Sequence, residues 1–238
     1  MQSLLRLAFP PQCVSCDNLV EREFGLCGEC WRITPFATGL VCDSCGVPLP
    51  GQDNGMVEHC DDCMSIARPW IKGRAALLYK DNARRLVLAL KHGDRLDLVR
   101  PAAQWMLGAG RTLLQNDSVI VPIPAHRLRL FRRRYNQAAI LGTEIARLSR
   151  ATIIPDLLLR TRRTRVQDGM NREERFKNLS QAIAPGKSAI ARLAGRNVVL
   201  VDDVMTSGAT LAAAADACQA ACAQRVDVLV LARVAKDT

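Results

Sequence analysis

The sequence predicts an α/β protein, in which a doubly wound parallel sheet follows a small cysteine-rich module. Eight of the ten cysteines lie within the first 63 residues, in four Cys-x-x-Cys pairs. After them, strand-like apolar runs alternate with helix-like runs over roughly 170 residues, as in parallel sheets covered by helices. We therefore expect a metal-binding module at residues 1–68 and a larger domain at residues 69–238.

The cysteine pairs predict two structural zinc sites. Two thiolates on one tight turn converge on one tetrahedral ion, and a second pair completes the site. Disulfides and redox Cys-x-x-Cys motifs are the alternatives. Disulfides are rare in an intracellular chain, and a redox role does not explain four copies of the motif. The expected ligands are Cys13, Cys16, Cys27 and Cys30, and Cys42, Cys45, Cys60 and Cys63, if consecutive pairs combine. The spacing equally permits cross-braced pairing. A module as small as residues 1–68 is expected to need its metal in order to fold, so zinc removal should unfold this module alone.

The elements of the larger domain follow from hydrophobic periodicity and from proline and glycine positions. Strands are expected at residues 73–79, 118–123, 152–155, 198–201 and 226–232. Helices are expected at residues 82–92, 101–114, 137–149 and 211–223. On the last helix, Cys218 and Cys222 are four residues apart, and we expect both to pack against the sheet. Residues 161–178 are polar and without period, which indicates a loop.

The segment from Val198 to Leu211 is the most informative of the chain. Two carboxylates, Asp202 and Asp203, follow the apolar run, and a loop of small residues precedes an Ala-rich helix. The loop amides, the hydroxyls and the helix N-terminus can hold a phosphate dianion. The carboxylates can accept hydrogen bonds from a diol on the same ligand. The predicted phosphate loop is Thr206, Ser207, Gly208, Ala209 and Thr210.

This segment resembles the phosphoribosyl-pyrophosphate (PRPP) motif of type I phosphoribosyltransferases. It matches at the strand, the acid pair and the Thr-x-Gly-x-Thr loop, and it lacks the Gly-Lys-Ser/Thr of a P-loop. The resemblance implies that Asp202 and Asp203 bind the ribose diol and serve catalysis. It also implies that residues 206–210 bind the 5′-phosphate, and that the loop at 161–178 closes over the reaction centre.

The whole chain is similar to the ComF family of competence-related proteins. The resemblance is carried by the double zinc ribbon ahead of the PRPP motif, Leu90-Lys91-His92-Gly93-Asp94, Val121-Pro122-Ile123-Pro124 and the Asn136-Gln137 region. Arg134 and Tyr135 stand where the family usually has Gly and Phe, and Asp168 stands where it has Leu. The family is associated with DNA uptake and with the handling of single-stranded DNA during transformation.

The resemblance also implies where the pyrophosphate of PRPP would lie. We expect it near the turn at Pro124 and Ala125, with Mg²⁺ and basic groups meeting its charge. The basic candidates are Lys91, Arg132 and Arg175. The acceptor is not identifiable from the sequence. The alternative functions are a non-catalytic PRPP sensor and a zinc-ribbon scaffold, either of which would bind single-stranded DNA or a DNA-translocating helicase.

Charge is distributed unevenly along the chain. The net charge of +10 combines −6 over residues 1–66 with +16 over the remainder. A basic face suits a polyphosphate or a nucleic-acid backbone, although a solvated arginine-rich surface has the same composition. No apolar run reaches the roughly 20 residues of a membrane span, and the first residues do not form a signal peptide. We therefore expect a cytoplasmic protein.

Overall fold

The computed structural model describes residues 10–92, 95–115, 117–125, 135–161, 174 and 182–235. Its centre is a five-stranded sheet, and the strand pairs are all parallel. The sheet strands are β1 (Gly73–Leu78), β2 (Val119–Pro122), β3 (Thr152–Ile153), β6 (Asn197–Met205) and β7 (Arg225–Arg233). Their order is β1-β7-β6-β2-β3, which confirms the predicted fold class.

Helices and a small hairpin complete the described structure. The helices are α1 (Gly28–Arg32), α2 (Asp61–Met64), α3 (Asp81–His92), α4 (Val99–Ala109), α5 (Gln137–Ser149), α6 (Ala189–Leu193) and α7 (Ala209–Ala220). A 3₁₀ turn, Leu96–Leu98, leads into α4. The strands β4 (Leu158–Arg160) and β5 (Ile183–Pro185) form a separate antiparallel pair.

Both faces of β6 are buried, and the two faces carry different helices. Val198 and Leu200 pack in one cluster with residues of α7. Val199 and Val201 point the other way and pack with residues of α3, α4 and α5. This alternation is what a strand requires, and burial on both faces explains why the run is apolar without interruption.

The connections that follow β2 and β6 leave these neighbouring strands in opposite directions along the sheet. The connection after β2 passes through α5 to β3 at one edge, whereas the connection after β6 passes through α7 to β7 in the opposite direction. Such a switch point opens a crevice outside the carboxyl ends of the two strands, where α/β sheets bind ligands. Because β2 ends at Pro122, which pairs with Val201, the last four residues of β6 extend beyond it.

The zinc-ribbon segment lies against β1. Residues near Phe36 run antiparallel to β1 and bond to it, with Ala37 N donating to Ala76 O at 2.9 Å and Leu78 N donating to Pro35 O at 2.8 Å. This segment covers an edge strand that would otherwise expose unpaired backbone groups.

Several element bounds differ from the sequence-based expectation. The strand β6 includes the acid pair, and α7 begins at Ala209 and ends at Ala220. Cys218 is buried as expected, but the prediction for Cys222 is wrong, because the helix ends before it and leaves it exposed. The β4–β5 hairpin was not predicted, since its strands are only three residues long. Most of the predicted loop at 161–178 lies outside the described residues.

No helix within the described ranges is long and apolar enough to cross a membrane.

Replacing Gly73 by alanine should test how closely the ribbon packs on β1. A Cβ at Gly73 would lie 2.3 Å from Ser44 O, which is backbone and cannot rotate away. We expect Gly73→Ala to lower the free energy of unfolding by about 1–3 kcal/mol, measured by urea denaturation. The control is Gly108→Ala in α4, whose Cβ would meet nothing within 4 Å. It should be neutral or stabilise the helix by up to about 1 kcal/mol. Equal stability of the two variants would contradict the close packing.

Candidate functional site

Eight cysteines form two four-thiol clusters. Within each cluster the sulfur atoms all lie within 4.8 Å of one another. The clusters are Cys13, Cys16, Cys27 and Cys30, and Cys42, Cys45, Cys60 and Cys63. Consecutive pairs therefore combine, and the cross-braced alternative is not adopted.

The sulfur spacing fits zinc. A tetrahedral site with Zn–S bonds of about 2.3 Å has edges of about 3.8 Å. The observed Sγ–Sγ separations are 3.6 Å between Cys16 and Cys27 and 3.7 Å between Cys45 and Cys60. Four thiolates with no open position are the ligand set of a structural zinc ion, and zinc would leave each cluster with a formal charge of −2.

The two clusters have different surroundings. The first cluster lies beside α3, where Ser15 donates to Asn82 Oδ1 at 2.7 Å, and its Cys16 is exposed. The second cluster is part of the core beneath the sheet. Cys42 and Cys45 are fully buried there, in the same apolar cluster as α7.

The acid pair lies at the carboxyl end of β6, at the switch point. Because neighbouring strand residues point to opposite faces, Asp202 lies on the α7 side and Asp203 on the α3 side. Lys91, near the end of α3, approaches Asp203 with its Nζ 3.3 Å from Oδ1. Asp202 Oδ1 accepts a hydrogen bond from the backbone N–H of Asp203 at 2.8 Å. The structure thus brings three of the predicted site residues together.

The pKa of Asp202 is raised to about 7. Burial is the largest cause, because it removes water from the carboxylate, and the negative charge of Asp203 adds to it. The positive charges of Lys91 and Arg160 act in the opposite direction. A carboxyl group that titrates near neutral pH at a strand end is typical of a binding or catalytic site.

The predicted phosphate loop is shorter in the structure, because Ala209 and Thr210 already belong to α7. Gly208 has a φ of +82°, a conformation that glycine adopts without strain, and α7 begins at the next residue. Ala209 N donates to Ser207 Oγ at 3.4 Å, and the N-cap residue, Gly208, has no side chain that could accept from the other first-turn amides. Thr206 is exposed, and Ser207 and Thr210 are half-buried. The first turn of α7 is therefore a position where backbone N–H groups can meet an anion.

The opposite wall of the crevice is the end of β2. Pro124 and Ala125 follow that strand and are half-buried. Asn136 ties this wall to α5, since its Nδ2 donates to Ile123 O at 2.9 Å and its Oδ1 accepts from Ala138 N at 3.1 Å. Tyr135 OH donates to Leu90 O at 3.0 Å. These bonds link the β2 end to the helix that carries Lys91.

Two arginines behind the loop were missed by the sequence analysis. Arg68 Nη1 donates to Ser207 O at 2.7 Å, and Arg233 Nη1 donates to Thr206 O at 2.6 Å. Their side chains reach the loop from distant parts of the chain, so no local motif marks them. Of the other basic candidates, Arg132 and Arg175 lie outside the described residues.

Two family models match the chain. A double zinc ribbon domain matches residues 4–64, and a phosphoribosyl transferase domain matches residues 97–238. The chain belongs to the phosphoribosyl transferase domain family. Its zinc ribbon ahead of that domain is the combination on which the ComF resemblance rests, and the relatives below confirm that resemblance.

Relatives of similar length carry competence and DNA-utilization names. "Competence protein F" of Haemophilus influenzae is 28% identical over 84% of this chain and 87% of its own length. "DNA utilization protein YhgH" of Escherichia coli is 28% identical over 87% of this chain and 89% of its own length. "Competence protein ComFC" of Bacillus subtilis is 24% identical over 84% of this chain and 85% of its own length.

A solved structure, that of an allosteric regulatory enzyme of purine biosynthesis, also matches this chain. The TM-score is 0.38 at 17% identity, and the match covers 60% of this chain and 30% of the other.

The raised pKa of Asp202 predicts a pH-dependent stability. The unfolded carboxyl titrates near 3.8 and the folded one near 7, so the folded form holds the proton more tightly. The stabilisation from the protonated carboxyl is fully present below about pH 4 and is lost as the pH rises to about 7. Each tenfold difference in proton affinity between the folded and unfolded forms corresponds to about 1.4 kcal/mol of stability.

The variant Asp202→Asn should lack this dependence, because the amide does not titrate. Urea unfolding of both proteins at several pH values should show the variant gaining stability relative to the native chain between about pH 4 and pH 8. Comparison at each pH cancels the titration of the cysteines, which both proteins share. A constant difference across this range would show that Asp202 titrates at its ordinary value.

Proposed function

We propose that the crevice at the β6–β2 switch point binds PRPP together with Mg²⁺. The observation that carries this proposal is the acid pair at the end of β6, directly followed by a glycine-containing loop and the N-terminus of α7. Carboxylates beside an anion site repel a phosphate, so the ligand must also bring hydroxyl donors. A phosphorylated ribose brings both groups on one molecule.

Each part of the ligand has a counterpart in the crevice. The 5′-phosphate lies on residues 206–210, where N–H groups and hydroxyls converge. The ribose diol donates to the carboxylates of Asp202 and Asp203. The pyrophosphate lies toward Pro124 and Ala125, within reach of Lys91, which already makes an ion pair with Asp203. The proposal also assigns Arg132 and Arg175 as basic groups that meet the charge of the pyrophosphate.

The residues present fit a magnesium-bound pyrophosphate. Mg²⁺ prefers oxygen ligands and keeps several waters, so ligand oxygens would hold it, with the acid pair close by. When bound, the ion would reduce the charge of the leaving pyrophosphate. The chain itself holds the two ends of the ligand, and Lys91 places a positive charge near the leaving group.

The reaction class that this arrangement supports is phosphoribosyl transfer. The bond between C1 of the ribose and the pyrophosphate oxygen breaks, and pyrophosphate leaves with the bonding electron pair. An acceptor nucleophile then forms the new bond to C1, and the carboxylates near the sugar stabilise its transient positive charge. The acceptor stays open in this proposal, and a non-catalytic PRPP sensor would use the same binding residues.

We further propose a cytoplasmic role of the ComF type, in which the protein takes part in DNA uptake and handles single-stranded DNA, directly or through a helicase. The competence and DNA-utilization names of the relatives support this role. The net charge of +16 beyond residue 66 supports contact with a nucleic-acid backbone. The chain has only ten aromatic residues, so backbone charge should matter more than base stacking.

Calorimetric titration with PRPP tests the binding site. The native chain should bind PRPP only with Mg²⁺ present, and the double variant Asp202→Ala/Asp203→Ala should bind at least about 100-fold more weakly, because two charged hydrogen-bond acceptors are lost. The matched control is Asp216→Ala, which removes an exposed carboxylate from α7 and should bind like the native chain. Equal affinity of all three proteins would overturn the proposed site, and absence of PRPP binding by the native chain would favour the scaffold alternative.

Release of pyrophosphate separates a transferase from a sensor. The native chain, given PRPP, Mg²⁺ and a panel of nitrogen and oxygen nucleophiles, should release pyrophosphate with one class of acceptor, and the Asp202→Ala/Asp203→Ala variant should not. Tight PRPP binding without release across the panel would favour the sensor.

Binding of single-stranded DNA should depend strongly on salt. If Lys and Arg side chains neutralise phosphates, the logarithm of the binding constant should fall linearly with the logarithm of salt concentration, by about 0.7 for each contact. Fluorescence anisotropy with a labelled oligonucleotide at several salt concentrations measures this slope. A slope near zero would exclude backbone contact, and absence of binding would favour a helicase or another protein as the partner.

A further inference from the structure

The second cysteine cluster and the phosphate loop lie on two sides of the same pair of arginines. We infer that the metal site formed by Cys42, Cys45, Cys60 and Cys63 holds the loop at 206–208 in place through Arg68 and Arg233. The inference concerns the use of the proposed ligand site, and it therefore rests on the proposed function for its biological meaning.

Both arginines reach the loop from behind. Each donates a hydrogen bond to a loop carbonyl, Arg68 to Ser207 O at 2.7 Å and Arg233 to Thr206 O at 2.6 Å. Arg233 also donates to Met205 O at 3.4 Å and is only 3% exposed. Because these bonds point the carbonyls toward the protein interior, the loop N–H groups are left for the crevice.

The same two arginines also contact the segment that carries the thiols. Arg233 approaches Asp62, between Cys60 and Cys63, with Nη2 3.8 Å from Oδ2. Arg68 lies over the ring of Trp70, whose indole Nε1 donates to Ser44 O, between Cys42 and Cys45. The arginines therefore bridge the cluster and the loop.

Three nitrogen atoms of these arginines lack a hydrogen-bond partner in the part of the chain that the structure describes. They are Nε and Nη2 of Arg68 and Nε of Arg233, and all three are buried. A buried cationic donor without a partner is costly. A zinc tetrathiolate with a charge of −2 beside them balances the two positive charges, so the cluster loaded with zinc stabilises both arginines.

The segment between the cluster and β1 reinforces the bridge. Trp70 Nε1 donates to Ser44 O at 2.7 Å, and the Arg68 guanidinium lies 5.4 Å from the centre of the Trp70 ring. Gly208 packs directly on this pair, since a Cβ there would lie 2.7 Å from Arg68 Nη1 and 3.2 Å from the Trp70 ring. A side chain at position 208 would therefore clash with Arg68 and Trp70, so this position requires glycine for lack of space as well as for its positive φ.

The first cluster offers a built-in comparison. It too has an arginine beside it, because Arg85 Nη2 donates to Ser15 O at 3.0 Å. That arginine is on α3, and its side chain is exposed to solvent at this bond. Its loss should leave the phosphate loop unchanged.

Hydrogen exchange and zinc release on the full zinc-loaded chain, without PRPP, test the inference. In Arg68→Gln, amide exchange in peptides that cover residues 205–210 should rise at least about tenfold, because a charged hydrogen bond is lost. One of the two zinc ions should also pass to a chromogenic chelator about tenfold faster. Arg68→Lys, which keeps the charge, should retain the native zinc-release rate.

The matched control Arg85→Gln should leave exchange of the loop peptides at the native value. If Arg68→Gln exchanges its loop amides at the native rate, or if Arg85→Gln loosens them equally, the inference is overturned. Cys63→Ser and Cys16→Ser provide a second comparison, in which only Cys63→Ser should loosen the loop. The Arg68→Gln result decides without any cysteine change, so an unfolded Cys63→Ser protein does not weaken the test.

These results are distinguishable from failure of the proposed function. If the native chain does not bind PRPP, the proposed function fails, yet loop exchange still decides whether the metal site holds the loop. If the native chain binds PRPP and Arg68→Gln binds it equally well with unchanged exchange, the inference alone fails. In the expected case, Arg68→Gln weakens PRPP binding about tenfold. Loss of zinc would then affect the phosphate loop as well as the cysteine-rich module, contrary to the expectation from the sequence.

Discussion

Burial of β6 on both faces is the constraint on which the rest of the structure depends. The strand pairs with β2 and β7 and is covered by α7 on one side and by α3 and α5 on the other. Asp202 and Asp203 interrupt its apolar residues just beyond the point where β2 ends, and both are half-buried, whereas Val201 and Met205 on either side are buried. The acids therefore lie where the strand is no longer paired with β2. In the proposed site this position brings them to the ligand, and their partial desolvation raises the pKa of Asp202.

The site is assembled from segments that are far apart in the chain. Lys91 comes from α3, the turn at Pro124 follows β2, and the acid pair and phosphate loop belong to β6 and α7. Parallel pairing places the carboxyl ends of all these strands at one edge, so that each segment contributes one part of the crevice. The second cysteine cluster lies under the same edge. Arg68 and Arg233 donate hydrogen bonds to the loop after β6, and by our inference the ribbon thereby takes part in the proposed ligand site.

The residues that sequence reasoning found are those with a local signal. Asp202, Asp203 and residues 206–210 stand in one continuous motif, and the cysteines stand in pairs of fixed spacing. The residues it missed act at long range. Arg68 is 139 residues from Ser207, and Arg233 sits at the end of β7, where an arginine would ordinarily be expected to face solvent. Cys222 was misassigned because helical spacing does not show where a helix ends.

By itself, the sequence determined the strand-loop-helix order, the four pairs of metal-ligating cysteines and the alternation that leads to a parallel sheet. These depend on spacing and on periodicity, which are local properties of the chain. Only the tertiary structure decided which cysteine pairs come together, that Lys91 meets Asp203, and that Arg68 and Arg233 donate to the carbonyls of the predicted phosphate loop. Such contacts depend on strand order and on the packing of side chains from distant segments, and one-dimensional spacing does not encode them.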